Sequence, residues 1–151
     1  SGQHAEIARR YEDGGYAWHL IDLQSRNGSF VKVEFIRLRD GDELILGKSA
    51  FSFEDPRGST PRFVEVGNQP RVLKFKSEDF WIGRDRKRCD PTLSDDPLLD
   101  QKHVRVHRSK ERWCVTAAPS KNGVWARVDE VKLNNGTKFL LGEQRFQILV
   151  P

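Results

Sequence analysis

Residues 18–53, WHLIDLQSRNGSFVKVEFIRLRDGDELILGKSAFSF, fall on residues 113–148, WCVTAAPSKNGVWARVDEVKLNNGTKFLLGEQRFQI, without a gap when the chain is shifted against itself by 95 positions. Ten of the 36 pairs are identical: Trp18/Trp113, Ser25/Ser120, Asn27/Asn122, Gly28/Gly123, Val33/Val128, Leu38/Leu133, Gly41/Gly136, Leu46/Leu141, Gly47/Gly142 and Phe51/Phe146. Others keep their chemistry, as in Arg26/Lys121, Phe30/Trp125, Ile36/Val131 and Arg37/Lys132. Glycines, apolar positions and basic positions aligning together mark a duplicated unit. Upstream, His4 matches His103 at an offset of 99, so the first copy holds four more residues between its His and its Trp. The excess centres on Glu12-Asp13-Gly14-Gly15, which reads as a hairpin tip, where added length is best tolerated.

Outward from the repeat, the pattern is one of short strands and turns. Val104 and Val106 alternate with polar neighbours, and Val72, Phe75 and Ile82 do so more loosely. Asn27-Gly28, Asp40-Gly41, Asn122-Gly123 and Asn135-Gly136 are turn dipeptides in which positive φ is cheap. No stretch carries helical periodicity with caps, so an all-β sandwich is expected. Residues 59–151 read as a complete domain that opens with strands near Arg62–Val66 and Val72–Phe75. Residues 1–58 read as a partial one without them. Projected back by the offset, the partner of Arg84 would stand about fifteen positions before Ser1. A sandwich lacking its opening strands has an open core and unpaired backbone, to be filled by upstream sequence or by another chain segment.

The chain has 151 residues, of which 36% are apolar and 32% charged. No apolar run approaches the roughly 20 residues of a spanning helix, so no membrane partner is expected. Ser1-Gly2-Gln3-His4 shows no export pattern. Cys89 and Cys114 lack metal-type spacing and read as reduced, buried thiols of a cytoplasmic protein. Trp18 and Trp113 read as core anchors. Charge is uneven: residues 1–58 carry net −2 and residues 59–151 net +6. A basic second half suits an anionic partner or simply a solvated surface.

In order and spacing, the motifs resemble the forkhead-associated (FHA) domain, a β-sandwich that binds phosphothreonine peptides through its loops. The family's Gly-Arg pair, Ser-x-x-His and Ser-x-Asn-Gly motifs are matched in the second copy by Gly83-Arg84, Asp100-Gln101-Lys102-His103 and Ser120-Lys121-Asn122-Gly123. In the first copy they are matched by Ser1-Gly2-Gln3-His4 and Ser25-Arg26-Asn27-Gly28, with no Gly-Arg counterpart. The resemblance implies two FHA-like antiparallel β-sandwiches in tandem, the first incomplete. It assigns phosphopeptide binding in the second copy to Arg84, Arg86, Lys87, Lys102, Ser120, Lys121 and Asn122. In the first copy it assigns Ser1, Ser25, Arg26 and Asn27. Gly83, Asp100, His4, His103, Gly28 and Gly123 are given structural roles.

The chemistry of that site stands without the family. A phosphate near two negative charges calls for an arginine fork, hydroxyl or amide donors, and loops held by a rigid scaffold. Arg84 is the fork, Arg86 and Lys87 thicken the positive field with Arg88, and Asn122 offers an amide to a peptide backbone. Asp100 stands where the family has a phosphate-contacting serine. A carboxylate there removes a donor and repels phosphate, and Arg84 reads equally as its ion-pair partner or that of Asp85.

The expected function is therefore a non-enzymatic protein-interaction module whose phosphate dependence is weakened or lost in the second copy. The partner is a phosphorylated or acidic protein or peptide, or another domain of the parent protein. The competing reading is a structural module completed by strand exchange or inter-domain packing, which allows a homo-oligomer. Nucleic acid is disfavoured, since neither an aromatic RNA platform nor a recognition helix is evident. No nucleophile–base pair, phosphate-cradling loop or metal-ligand cluster points to catalysis, and no cofactor is implied.

Overall fold

Period-two alternation punctuated by Asn-Gly and Asp-Gly turns gives fifteen strands in a computed structural model that describes residues 3–149. No helix occurs among the described residues. The first copy supplies β1 (Ala5–Glu12), β2 (Gly15–Asp22), β3 (Ser29–Val33), β4 (Phe35–Arg37), β5 (Glu43–Leu46) and β6 (Ser49–Glu54). Then come β7 (Arg62–Glu65), β8 (Val72–Lys74) and β9 (Asp79–Ile82). The second copy supplies β10 (Val104–Ser109), β11 (Arg112–Ala117), β12 (Val124–Val128), β13 (Glu130–Leu133), β14 (Lys138–Leu141) and β15 (Gln144–Gln147). β3 and β5 coincide with β12 and β14 at the offset of 95, so the sequence repeat is a repeat of strands. The expected opening strands of residues 59–151 are β7 and β8.

The compact units do not follow the two copies. One contains the chain up to Lys32 and again from Ala126 onward; the other contains Val33–Trp125. In the first unit the strands are ordered β1-β2-β13 and β15-β14-β3, and in the second β4-β11-β10-β9 and β5-β6-β7-β8, while the unit boundary falls within β12, after Trp125. Each copy thus gives its last three strands to the other. The register is the same in both places: β13 lies on β2 with Val131 opposite Leu20, and β4 lies on β11 with Ile36 opposite Val115. The two pairs are repeat equivalents, and a one-residue slip in either would turn the apolar side chain outward. Only Glu34 separates β3 from β4. Since the shortest common hairpin loop needs two residues, the chain runs onward here instead of folding back.

The four extra residues of the first copy do not lengthen a loop tip, contrary to expectation. Both hairpins turn over two residues with positive φ, Asp13 and Gly14 at 50° and 80°, Lys110 and Glu111 at 51° and 64°. The excess lengthens the arms instead, so that β1 and β2 have eight residues each where β10 and β11 have six. The added rungs carry Tyr11 opposite Tyr16, whose rings meet edge to face at 5.3 Å. Two-residue loops of this kind match the twist of their strands, so adding a rung to each arm preserves the turn.

The second unit is closed by a chain of rings. Phe75 lies 4.9 Å from Trp113, 5.0 Å from Phe63, 5.1 Å from Phe80 and 5.8 Å from Phe53, centroid to centroid. Three of these rings, Phe63, Phe75 and Phe80, come from the β7–β9 segment. All are buried, each contributing about 1.5–3 kcal/mol of burial free energy. Among the described residues the first unit has no such layer, and Trp18, expected in a core, is half-exposed.

Candidate functional site

In the second unit, three loops meet beyond the ends of β9, β10 and β11, and backbone hydrogen bonds fix them to one another. Gly83 follows β9, and a Cβ there would meet the carbonyl of Gln101 and stand 2.9 Å from that of Asp100. Without a side chain the strands approach closely enough for the Arg84 amide to donate to the Asp100 carbonyl and the Asp85 amide to that of Gln101, both at 3.1 Å. The Leu93 amide returns to the Gly83 carbonyl at 2.9 Å. The Asp90–Pro91 peptide bond is cis.

His103 is fully buried and joins two loops. Its Nδ1 accepts from the Asp100 amide at 3.1 Å, and its Nε2 donates to the Gly123 carbonyl at 2.8 Å, an arrangement that requires the proton on Nε2. The Ser120 hydroxyl accepts from the Gly123 amide at 2.8 Å. Asn122 donates through Nδ2 to the Leu98 carbonyl at 2.9 Å, and its own carbonyl accepts from Trp125 Nε1 at 2.8 Å. The amide group expected to face a peptide thus has one of its two N–H donors committed to the neighbouring loop.

Arg84 is half-buried, and its Nε is buried without a hydrogen-bond partner. The alternative in which Asp100 or Asp85 neutralises it is not what the structure contains. Among the described residues Arg84 makes no ion pair. Asp85 instead accepts from the Lys87 amide at 2.9 Å and pairs with Arg88, and these contacts hold its carboxyl below the usual range. The Asp100 carboxylate has no partner among the described residues. Arg86, Lys87 and Lys121 are exposed. Lys102 lies with Nζ 4.2 Å from the centroid of Trp81, a cation–π contact that draws it onto β9. Burial pushes the Cys89 thiol up, and its Sγ donates to the Gln101 carbonyl at 3.1 Å, as befits an unreactive structural thiol.

The first unit repeats part of this lacing. His4 Nε2 lies 2.8 Å from the Gly28 carbonyl, and the Gly28 amide donates to the Ser25 hydroxyl at 3.1 Å. The Asp22 carboxylate accepts from the Ser25 amide at 3.1 Å and from the Ser25 and Ser29 hydroxyls at 2.5 and 2.6 Å. Burial pushes its carboxyl up, but those hydrogen bonds outweigh burial and the net direction is down. Gly28, at φ 83°, faces the Arg127 side chain, whose Nε would lie 2.6 Å from a Cβ. Arg26 and Asn27 are exposed and, with Gln3, Leu23, Gln24 and Ser25, line a shallow cavity. Ser1, assigned to this site by resemblance, lies outside the described residues.

One participant escaped the sequence reading. Asp96 is fully buried, and its carboxylate accepts from the Lys48 amide at 2.9 Å and the Leu98 amide at 3.0 Å. It occupies the space over Gly47, whose φ is 65°. Asp96 thereby ties the Asp100 loop to the β5–β6 turn. The only signal for it was the Asp95-Asp96-Pro97 sequence, a turn former.

A two-sheet antiparallel scaffold presenting laced loops, with an arginine at their root, defines a class of loop-borne recognition modules. A family model for the FHA domain matches residues 1–47 and 80–142, and the chain belongs to the FHA-domain family, whose members are phosphopeptide-binding protein-interaction modules. The two matched segments end at Gly47 and Gly142, which are repeat equivalents. No curated protein and no solved structure matches the chain.

Proposed function

We propose that the second unit docks an acidic or phosphorylated peptide at Arg84, as a non-enzymatic module, in a chain built from two tandem FHA-like copies that have exchanged their last three strands. The observation that carries this reading is the unpartnered Arg84. A buried guanidinium donor without an acceptor costs about 1–3 kcal/mol or more, and an incoming anion would satisfy it. Pinning of the Arg84 backbone to Asp100, and of that loop to Asn122 and His103, supplies the preorganisation that favours binding. Asp100 stands where a phosphate-contacting hydroxyl donor would be needed and makes no pair with Arg84, so phosphate selectivity is weak. Exposed Arg86, Lys87 and Lys121 contribute through the field and the association rate.

Calorimetric titration of matched phosphorylated and acidic, unphosphorylated peptides tests this. Arg84→Ala is expected to lower affinity for both by tenfold or more, and Asp100→Ser to raise affinity for the phosphorylated form alone. Binding unchanged in Arg84→Ala would overturn the assignment; no response to Asp100→Ser would place Asp100 outside the pocket.

The matched registers of β4 on β11 and β13 on β2 favour a second reading, a structural role in which the same exchange joins two chains. Sedimentation at rising concentration separates the two, since a strict monomer excludes exchange between chains.

A further inference from the structure

We propose that the outer face of the β4-β11-β10-β9 sheet docks an acidic, extended polypeptide segment, which adds a strand to the open edge of β4 and sets an apolar side chain against Phe35. The proposal does not depend on the Arg84 reading, because it needs neither Arg84 nor the loops laced around it.

Backbone geometry opens the edge. β4 is the terminal strand of its sheet. The Leu38 amide donates to the Trp113 carbonyl at 2.8 Å and the Ala117 amide to the Glu34 carbonyl at 2.9 Å, while Ile36 stands opposite Val115. Alternate residues of an antiparallel strand turn their N–H and C=O groups to opposite sides. Those of Phe35 and Arg37 therefore point away from β11, and no strand among the described residues takes them. Such groups are the template for strand addition.

The other copy supplies the control. β13 is also terminal, and Glu130 and Lys132 stand on it at the repeat positions of Phe35 and Arg37. Arg10 grips Glu130 through two hydrogen bonds of 2.7 and 3.1 Å, and Lys132 Nζ lies 3.6 Å from Glu12. Charged side chains of this kind guard a terminal strand against further pairing. Phe35, by contrast, is 49% exposed, and among the described residues Arg37 makes no ion pair. One backbone edge is guarded and its repeat equivalent is not.

Charge selects the occupant. Strand alternation sets Phe35 and Arg37 on one face with Arg112 and Thr116 of β11, and with Arg105 and His107 of β10 beyond them. The Phe35 and His107 rings lie 6.4 Å apart. The one carboxylate that these strands and β9 present on this face is Asp79, and Arg105 holds it through hydrogen bonds of 2.8 and 2.5 Å. Arg112 donates only to the Leu38 carbonyl, at 3.3 Å. Arg37 and Arg112 thus have no carboxylate, and an acidic segment would bring one to each. A second copy joining through the same edge would set these arginines against their own kind. Nucleic acid is disfavoured too, because its backbone has no amides and carbonyls to continue the ladder.

The probe is the peptide acetyl-EEVFVEE-amide, added to the full chain and to its Arg84→Ala variant. Saturating peptide is expected to slow hydrogen exchange at the Phe35 and Arg37 amides about fivefold or more in both, which separates this edge from the Arg84 loops. Phe35→Glu and Arg37→Glu should each weaken binding about tenfold or more. The first of these gives β4 the side chain that β13 already carries at the equivalent place, so it is compatible with the strand. Replacing every Glu of the peptide by Lys should abolish protection. Unchanged exchange at the two amides would overturn the proposal, as would equal protection by the lysine peptide. So would amides already protected in the free chain, whether within a monomer or in a dimer seen by sedimentation. A single-stranded oligonucleotide that bound this face more tightly than the peptide would give it to nucleic acid instead.

Discussion

Trp18 and Trp113 hold one place in the repeat, each on the second strand of a hairpin closed by two residues, each with an arginine beside its ring. Trp113 is interior because Phe75, Phe63 and Phe80 arrive from β7–β9; Trp18 is half in solvent, with no equivalent rings over it among the described residues. Burial is thus a property of the layer above a residue and not of the residue. The same contrast governs the loops. Where the second unit has Gly83, Arg84 and Asp100 laced together, the first repeats the histidine–glycine and serine–glycine contacts and adds the Asp22 carboxylate bound by Ser25 and Ser29.

The largest test of this contrast replaces the ring that closes the second unit. Phe75→Ala should cost about 3–5 kcal/mol, as buried aromatic truncations do, whereas Trp18→Ala should cost about 1 kcal/mol or less. Urea denaturation followed by circular dichroism measures both, and equal losses would break the comparison.

Next come two glycines related by the repeat. Gly47 and Gly142 have φ of 65° and 64°, but Asp96 stands over Gly47 and nothing lies within 4 Å of a Cβ on Gly142. Alanine at Gly142 should cost only the left-handed backbone penalty, about 1–2 kcal/mol. At Gly47 it should cost about 1–3 kcal/mol more, because the displaced carboxylate also holds the Lys48 and Leu98 amides. Equal costs, read from thermal or urea midpoints, would show that Asp96 moves aside freely.

The smallest effect is a pH dependence centred on Glu65 in the second unit. Arg71 donates to Glu65 at 2.9 Å, and this contact, with help from Ser49 and the Arg71 amide, holds the Glu65 carboxyl down at about 2 from 4.5. A carboxyl depressed in the folded state stabilises fully above its unfolded pKa and ceases to do so as pH falls through its folded value. The stability gap between the parent chain and Arg71→Gln should therefore be greatest at neutral pH and close between about 4.5 and 2. Urea midpoints across that range would reveal it. A gap that persisted at pH 2 would mean that Arg71 acts through packing.

Much of the strand inventory was legible. Alternation at Val104 and Val106, the glycine turns and the repeat located the strands because side-chain period and turn chemistry are local properties. The hairpin extension was misplaced, since the sequence reveals four added residues but not their division between loop and arms. Arg84 beside two acids could be read as paired or free, and only the geometry that commits Asp85 to Arg88 separates these. Asp96 was invisible because its partners, Gly47 and Lys48, lie far away in the chain.

The sequence by itself determined an all-β chain with an internal repeat at an offset of 95 positions, carrying the loop motifs of the FHA family. Tertiary structure alone decided which copy's strands complete which unit. Duplicated strands present interchangeable faces and edges, so pattern fixes the register of a pairing but not the identity of the partner. That choice falls to chain connectivity and three-dimensional packing.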